Sequence, residues 1–119
     1  LMAAEGIENF TVKEVRDSGV AAICEAIKTK LQDCDLVYVS FDVDSMDCEL
    51  ISKGTGTPVK DGLTAEEAKS IMCELAAWRK VACIEMVEIN PCLDNKTNFM
   101  AETAYEILDQ FTDHIEKRL

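Results

Sequence analysis

The sequence predicts an α/β fold with a mostly parallel sheet. Two runs rich in apolar residues, DLVYVSFDV (35–43) and VACIEMVEI (81–89), alternate along the chain with helical patterns. The first run is nearly continuous and rich in β-branched and aromatic residues, which is typical of a strand buried on both faces of a parallel sheet. Strands that alternate with helices favour parallel pairing through right-handed crossovers.

The remaining elements are predicted from local patterns. They are, in chain order, a strand at 7–15, a helix at 12–31, a helix at 65–79 and a last helix at 97–117. Thr64 has the features of a helix N-cap, and Glu67, three residues later, completes a capping box. The helix that follows presents one apolar face, and the second apolar run ends at Asn90-Pro91.

Composition narrows the possible partners. The chain has 119 residues and a formal net charge of −11, which argues against nucleic acid and anionic membranes and is compatible with a cationic small molecule or a divalent metal. The six cysteines form no CxxC pair and several lie in apolar runs, as reduced thiols do in a cytoplasmic protein. No stretch reaches the ~18 apolar residues that a membrane span requires.

Acidic residues lie where the two predicted strands end. Asp42 and Asp44 are two positions apart, so their carboxylates are expected on one face, and Glu88 closes the second strand. The carboxyl ends of parallel strands form the edge where ligands bind, and paired carboxylates suit hard cations such as Mg²⁺ or Mn²⁺. The alternative is that both aspartates cap the following turn and that Glu88 is solvated.

Other metal and phosphate motifs fit less well. An EF-hand loop that starts at Asp42 would require an oxygen ligand at Met46 and a glycine at Asp47. The glycines of GTGTP (54–58) lack the Lys-Ser/Thr pair of a P-loop. A haloacid-dehalogenase-like phosphatase also has Asp-x-Asp at a strand end, but it usually continues with Gly-Thr, whereas Ser45-Met46 follow here.

Three motifs together point to one family. SFDVDSMD (40–47), GTGTPVKDGLT (54–64) and MVEINP (86–91) closely resemble the arginase–agmatinase family, the ureohydrolases, and most closely arginase. The resemblance covers the C-terminal part of that family's single domain, so residues 1–119 are expected to be its C-terminal portion, with the N-terminal portion absent. It implies a three-layer α/β/α arginase-like fold and, for the intact enzyme, a homo-oligomer, either a trimer or a hexamer.

The resemblance also implies a role for each residue. Asp42 would bridge two Mn²⁺ ions at the carboxyl edge of the sheet, and Asp44 would ligate one of them. The metal pair would activate a bridging hydroxide that attacks the guanidinium carbon of arginine, giving ornithine and urea. Glu88 would bind the guanidinium and Thr57 would line its pocket, while Asp47 would brace the loop. No further residue is assigned a catalytic role.

The chain departs from the family pattern in two places and lacks part of it. Asp47-Cys48 stands for the usual Asp-Pro, and Asp61-Gly62 stands for the usual Gly-Gly. The family's histidine-bearing ligands lie upstream of this region, and His114, in the last helix, is expected at the surface. The chain alone is therefore expected to bind Mn²⁺ poorly and to lack hydrolase activity.

The choice among substrates stays open within the family. The sequence Glu88-Ile89-Asn90-Pro91 favours arginase over agmatinase. Formimidoylglutamase shares the chemistry, and the residues that read the amino-acid end of the substrate lie mostly upstream. The alternative from a different class is a non-catalytic α/β module that serves binding or assembly.

Overall fold

The computed structural model describes residues 2–119 of the chain. After a short 3₁₀ turn, the elements follow in this order: α1 (Val12–Ser18), α2 (Val20–Lys30), β1 (Val37–Asp42), α3 (Ala65–Ala76), β2 (Val81–Val87) and α4 (Phe99–Arg118). The two strands are parallel neighbours in one sheet, and side chains of α3 and α4 pack against them. The predicted α/β fold with a parallel sheet is confirmed.

The register of the sheet brings the carboxyl ends of the two strands together. β1 and β2 pair from Val37 opposite Val81 to Asp42 opposite Val87, with one irregularity next to Val37. Glu88 follows directly after β2. The acidic residues that end the two strands therefore lie at the same edge of the sheet, because parallel strands finish on the same side.

Two predictions for the N-terminal region were wrong. Residues 7–11 form no strand and pair with neither β1 nor β2. Thr11 instead begins α1 through a capping box, in which the Thr11 N–H donates to Glu14 Oε2 at 2.7 Å. The helix predicted at 12–31 is divided at Gly19, whose φ of 85° lies in the region that favours glycine and ends α1.

β1 is buried on one face only, which corrects the prediction of a strand buried on both faces. Val37 and Phe41 face the helices, whereas Tyr38, which is 56% exposed, and Ser40 point away from them. The reason is that α3 and α4 pack on the same side of the sheet, and no helix among residues 2–119 covers the other side. This part of the chain thus forms two layers of the predicted three-layer arrangement.

The core fills the space between the sheet and the helices α3 and α4. Its buried side chains come mainly from these four elements: Val37, Phe41, Ala68, Met72, Ala76, Val81, Met100, Ala104, Ile107 and Phe111. The predicted capping box of α3 is confirmed, since the Glu67 N–H donates to Thr64 Oγ1 at 3.1 Å and Glu67 Oε2 accepts from Thr64 N at 2.9 Å. None of the helices within residues 2–119 has the length and hydropathy of a membrane span.

Arg16 of α1 ties this capping box to the long loop between β1 and α3. Its Nε donates to Glu67 Oε1 at 2.8 Å, and its Nη2 donates to Glu67 Oε2 at 3.1 Å and to the Gly62 carbonyl at 3.0 Å. The guanidinium and the two hydrogen bonds from Thr64 lower the pKa of Glu67 from 4.5 to about 2, although burial opposes them. One carboxylate therefore joins α1, the loop and the start of α3.

Glu67→Gln is expected to lower the free energy of unfolding by about 1 kcal/mol at pH 7, because glutamine keeps the capping geometry but loses the charge that Arg16 binds. The folded-state pKa lies below the unfolded value, so the stabilisation is complete above pH 4.5 and disappears as the pH falls towards 2. Urea denaturation across this range measures the difference. Glu66→Gln, which changes an exposed neighbour, is the control, and an equal effect of both substitutions would contradict the assignment.

Candidate active site

Asp42 is the last residue of β1, and the chain turns immediately after it. Residues 43–45 form one turn of 3₁₀ helix, so Asp44 lies in this turn and does not continue the strand as its spacing had suggested. Asp42 Oδ1 accepts from the Asp44 N–H at 2.8 Å, and Ser45 Oγ donates to the Asp42 carbonyl at 2.6 Å. The turn-capping alternative thus accounts for one oxygen of Asp42.

Asp44 has one oxygen held and one without a partner. Its Oδ2 accepts a hydrogen bond from Thr57 Oγ1, whereas Oδ1 is buried and has no hydrogen-bond partner among the described residues. A buried carboxylate oxygen without a donor is costly, and a hard cation is a natural partner for it. The site therefore fits a metal at Asp44, with Asp42 beside it. Residues 2–119 contain no cluster of three or more His, Cys, Asp or Glu placed to hold a metal.

The loop that carries Thr57 runs along the residues that follow β2. Thr55 forms an antiparallel bridge with Ile89, and the Asn90 N–H donates to the Gly54 carbonyl at 2.8 Å. The side chain of Glu88 comes close to the same loop, since a Cβ built on Gly56 would lie 3.5 Å from Glu88 Oε2. Asp42, Asp44, Thr57 and Glu88 are thus brought to one edge of the sheet.

Glu88 has an unusual backbone conformation. Its φ is 67°, in the left-handed region that residues other than glycine, asparagine and aspartate rarely adopt. Residues held in such conformations cluster at functional sites, where the surrounding contacts impose them. The conformation ends β2 at Val87 and turns the chain towards the loop that carries Gly56.

Thr55 lies beside the candidate site and was not predicted from the sequence. It is 1% exposed, and its hydroxyl has no hydrogen-bond partner among the described residues. It lies in the same GTGTP motif as Thr57, so the motif was the available signal, but nothing in the sequence shows which of its two hydroxyls meets Asp44. A buried hydroxyl without a partner is a place for a bound water or ligand atom.

Asp47, the third acid of SFDVDSMD, forms its hydrogen bonds with other residues of the loop after β1. Its Oδ1 accepts from the Glu49 N–H at 2.8 Å, and its own N–H donates to the Leu63 carbonyl at 2.9 Å. Asp61 has a φ of 57° in the same loop, a conformation that aspartate tolerates better than most residues. The departures from the family pattern at 47–48 and 61–62 therefore leave an ordered, hydrogen-bonded loop.

His114 lies away from this edge of the sheet. Its Nδ1 forms a hydrogen bond with the Gln110 carbonyl at 2.8 Å within α4. Its ring lines a surface cleft with Val20, Cys73 and Glu74 from other helices, and none of the four predicted site residues lines that cleft. It is half-buried in the structure and contributes nothing to the candidate site.

Comparison with known proteins identifies the family. The protein-family model described as "Arginase family" matches residues 1–112 of this chain. This chain belongs to the arginase family. A curated relative, the arginase of Entamoeba histolytica, is 37% identical over 90 residues, which make up 76% of this chain and 30% of that protein. The resemblance inferred from the motifs is thereby confirmed.

Solved arginases have the same fold over this region. The crystal structure of E. histolytica arginase in complex with L-ornithine matches 92% of this chain and 36% of its own, with a TM-score of 0.84 and 30% identity. Helicobacter pylori arginase matches 96% of this chain and 37% of its own, with a TM-score of 0.88 and 26% identity. The chain spans about a third of the length of the curated arginases that it matches.

Proposed function

We propose that this chain supplies the metal-binding aspartates and the guanidinium-binding glutamate of a Mn²⁺-dependent arginase, which hydrolyses arginine to ornithine and urea. Its relatives in the family are hydrolases. The observation that carries the proposal is the buried, unpartnered Oδ1 of Asp44, next to Asp42 and across the loop from Glu88. The L-ornithine bound to E. histolytica arginase supports an amino-acid substrate of this kind.

The residues of the candidate site have separate roles in metal binding and substrate binding under this proposal. Asp42 and Asp44 would hold Mn²⁺, and Thr57 orients Asp44 by binding Oδ2, so that Oδ1 is free to ligate. When bound, the metal supplies an activated water nucleophile near neutral pH. Glu88, turned towards the loop by its backbone, would orient the guanidinium through charge-assisted hydrogen bonds. Thr55 offers one more buried hydroxyl at the same edge.

The location and assembly of the intact enzyme follow as predictions. All six cysteines are unpaired, which agrees with a reducing compartment such as the cytoplasm. A homo-oligomer, trimeric or hexameric, stays the prediction for assembly. Agmatinase and formimidoylglutamase activities stay the alternatives, because the residues that read the amino-acid end of the substrate are expected to lie mostly upstream of this region.

A chimaera tests the proposal. Residues 1–112 of this chain replace the matching segment of E. histolytica arginase, and arginine, agmatine and formimidoylglutamate are offered in turn with Mn²⁺. Urea and ornithine formed from arginine would support the proposal, and a folded, Mn²⁺-loaded chimaera inactive on all three would contradict it. The 119-residue chain alone is the comparison, and we expect it to bind Mn²⁺ weakly and to release no urea.

Glu88→Gln in this chimaera is expected to raise the KM for arginine by about 10- to 100-fold, because a charge-assisted hydrogen bond is worth about 1.5–3 kcal/mol. Its Mn²⁺ content should stay unchanged, since Glu88 is assigned to the substrate. Steady-state kinetics and metal analysis check both parts. Glu85→Gln is the control, because this exposed side chain of β2 binds Ser40 on the open face of the sheet. If Glu88→Gln lost Mn²⁺ as well as affinity for arginine, Glu88 would instead be a metal ligand.

A further inference from the structure

A carboxylate outside the predicted site, that of Asp94, lies where the loop after β1 meets the start of α4. Its Oδ1 accepts from Ser52 Oγ of the loop and from the Met100 N–H at 3.2 Å, and its Oδ2 accepts from the Ala101 N–H at 3.0 Å. The first N–H groups of a helix have no partner within the helix, and a negative charge there is favourable. Burial raises the pKa of Asp94, but these hydrogen bonds outweigh it and lower the pKa below its ordinary value.

The contacts continue from Ser52 to the residues beside Glu88. Ser52 Oγ accepts from the Gly54 N–H at 3.0 Å, and the Gly54 carbonyl accepts from the Asn90 N–H at 2.8 Å. Gly54 is tightly enclosed, since a Cβ there would lie 2.7 Å from Asp94 Cγ and 2.7 Å from Met100 Cβ. A continuous series of hydrogen bonds therefore joins α4, through Asp94 and the loop, to Asn90.

This series of hydrogen bonds ends next to a residue with an unfavourable backbone conformation. Glu88, two residues before Asn90, has the left-handed φ of 67°. Such a conformation persists only when neighbouring contacts fix it, and the contacts here are the bridge of Thr55 to Ile89 and the bond of Asn90 to Gly54. We propose that Asp94 is a positioning residue, which acts through Ser52 and Gly54 to hold Glu88 in place for guanidinium binding; this inference rests on the role proposed for Glu88.

The neighbouring residue shows what a purely local cap would do. Asn95 Oδ1 accepts from the Thr97 N–H at 3.1 Å and from the Phe99 N–H at 3.0 Å, all within the start of α4. No hydrogen bond joins its side chain to the loop among the described residues. Asn95→Ala and Asp94→Ala thus both loosen the start of α4, but only the second releases the loop, which makes them a matched pair.

Hydrogen exchange of the Asn90 amide tests the inference without any ligand. In the full 119-residue chain, Ser52→Ala and Asp94→Ala are expected to speed this exchange at least tenfold, because the acceptor carbonyl of Gly54 becomes mobile. Asn95→Ala should leave it near the wild-type rate, and Ser52→Thr, which keeps the hydroxyl, should restore it. Ser52→Ala keeps the test valid if Asp94→Ala does not fold. Unchanged exchange in Ser52→Ala, or equal acceleration in Asn95→Ala, would overturn the inference.

Arginine titration of the chimaera without metal, so that no arginine is hydrolysed, tests the link to binding and is followed by NMR at the Gly56 and Glu88 amides. We expect about tenfold weaker binding in Ser52→Ala and no change in Asn95→Ala, a difference that a general loss of stability would not produce. Equal binding in the wild type and Ser52→Ala would overturn the positioning role. Equal arginine binding in the chimaera with and without Glu88→Gln would overturn the role of Glu88 in the proposed function, while the exchange rates would still decide whether Asp94 holds this segment.

Discussion

Asp44→Asn, made in the chimaera with E. histolytica arginase, is expected to lower the rate of urea formation by at least about a thousandfold. Metal-assisted catalysis supplies several kcal/mol of transition-state stabilisation, and each ~1.4 kcal/mol is a factor of ten in rate. The neutral amide of asparagine does not balance the charge of Mn²⁺ and is the weaker ligand. The buried Oδ1 of Asp44 has no hydrogen-bond donor within the described residues, so a bound cation is its expected partner.

Metal analysis and steady-state kinetics measure the two parts of this prediction. The Mn²⁺ content of Asp44→Asn should fall together with kcat, and high Mn²⁺ concentrations should restore activity only in part. Asp109→Asn, which changes an exposed acid of α4, is the control for the lost charge. A variant that retains its full Mn²⁺ content and rate would show that Asp44 is not a metal ligand.

Phe111→Ala is expected to have the largest effect on stability, a loss of about 3–5 kcal/mol in the free energy of unfolding. Phe111 is 0% exposed and lies on α4 among side chains of the sheet and α3. Removal of the ring leaves a cavity in the one core that the described residues form, and domains of this size have a total stability of only roughly 5–15 kcal/mol.

Urea denaturation of the 119-residue chain, followed by circular dichroism, measures this loss. Tyr105→Ala is the matched control, because Tyr105 is an aromatic residue of the same helix but is 67% exposed. It is expected to change the free energy of unfolding by less than about 0.5 kcal/mol. Similar effects of the two substitutions would mean that α4 does not pack on the sheet as the structure shows.

The features that the sequence predicted well are local ones. The capping box of Thr64 and Glu67 and the apolar face of α3 depend on residues three or four positions apart, and both are present. The prediction that the acids at the strand ends lie at one edge was also correct, because parallel pairing of β1 and β2 places their carboxyl ends together. Motif spacing added the family, which neither composition nor periodicity identifies.

The features that were missed depend on contacts between distant residues. The helical pattern of residues 12–31 continues across Gly19. The sequence therefore does not reveal that this glycine adopts a φ of 85° and separates α1 from α2. The exposure of Tyr38 depends on which elements cover each face of the sheet, and an apolar run looks the same in both cases. The hydrogen bond of Ser52 to Asp94 joins residues 42 positions apart, which no local pattern reports.

At Glu88, the backbone conformation and the role proposed for the side chain favour different residues. Glycine would adopt this φ without steric cost, so the substitution that best suits the backbone removes the carboxylate in the same step. A substitution chosen for backbone conformation alone would therefore be Glu88→Gly. Under the proposed function, Glu88→Gly would therefore remove the guanidinium-binding carboxylate at the one position where glycine best suits the main chain.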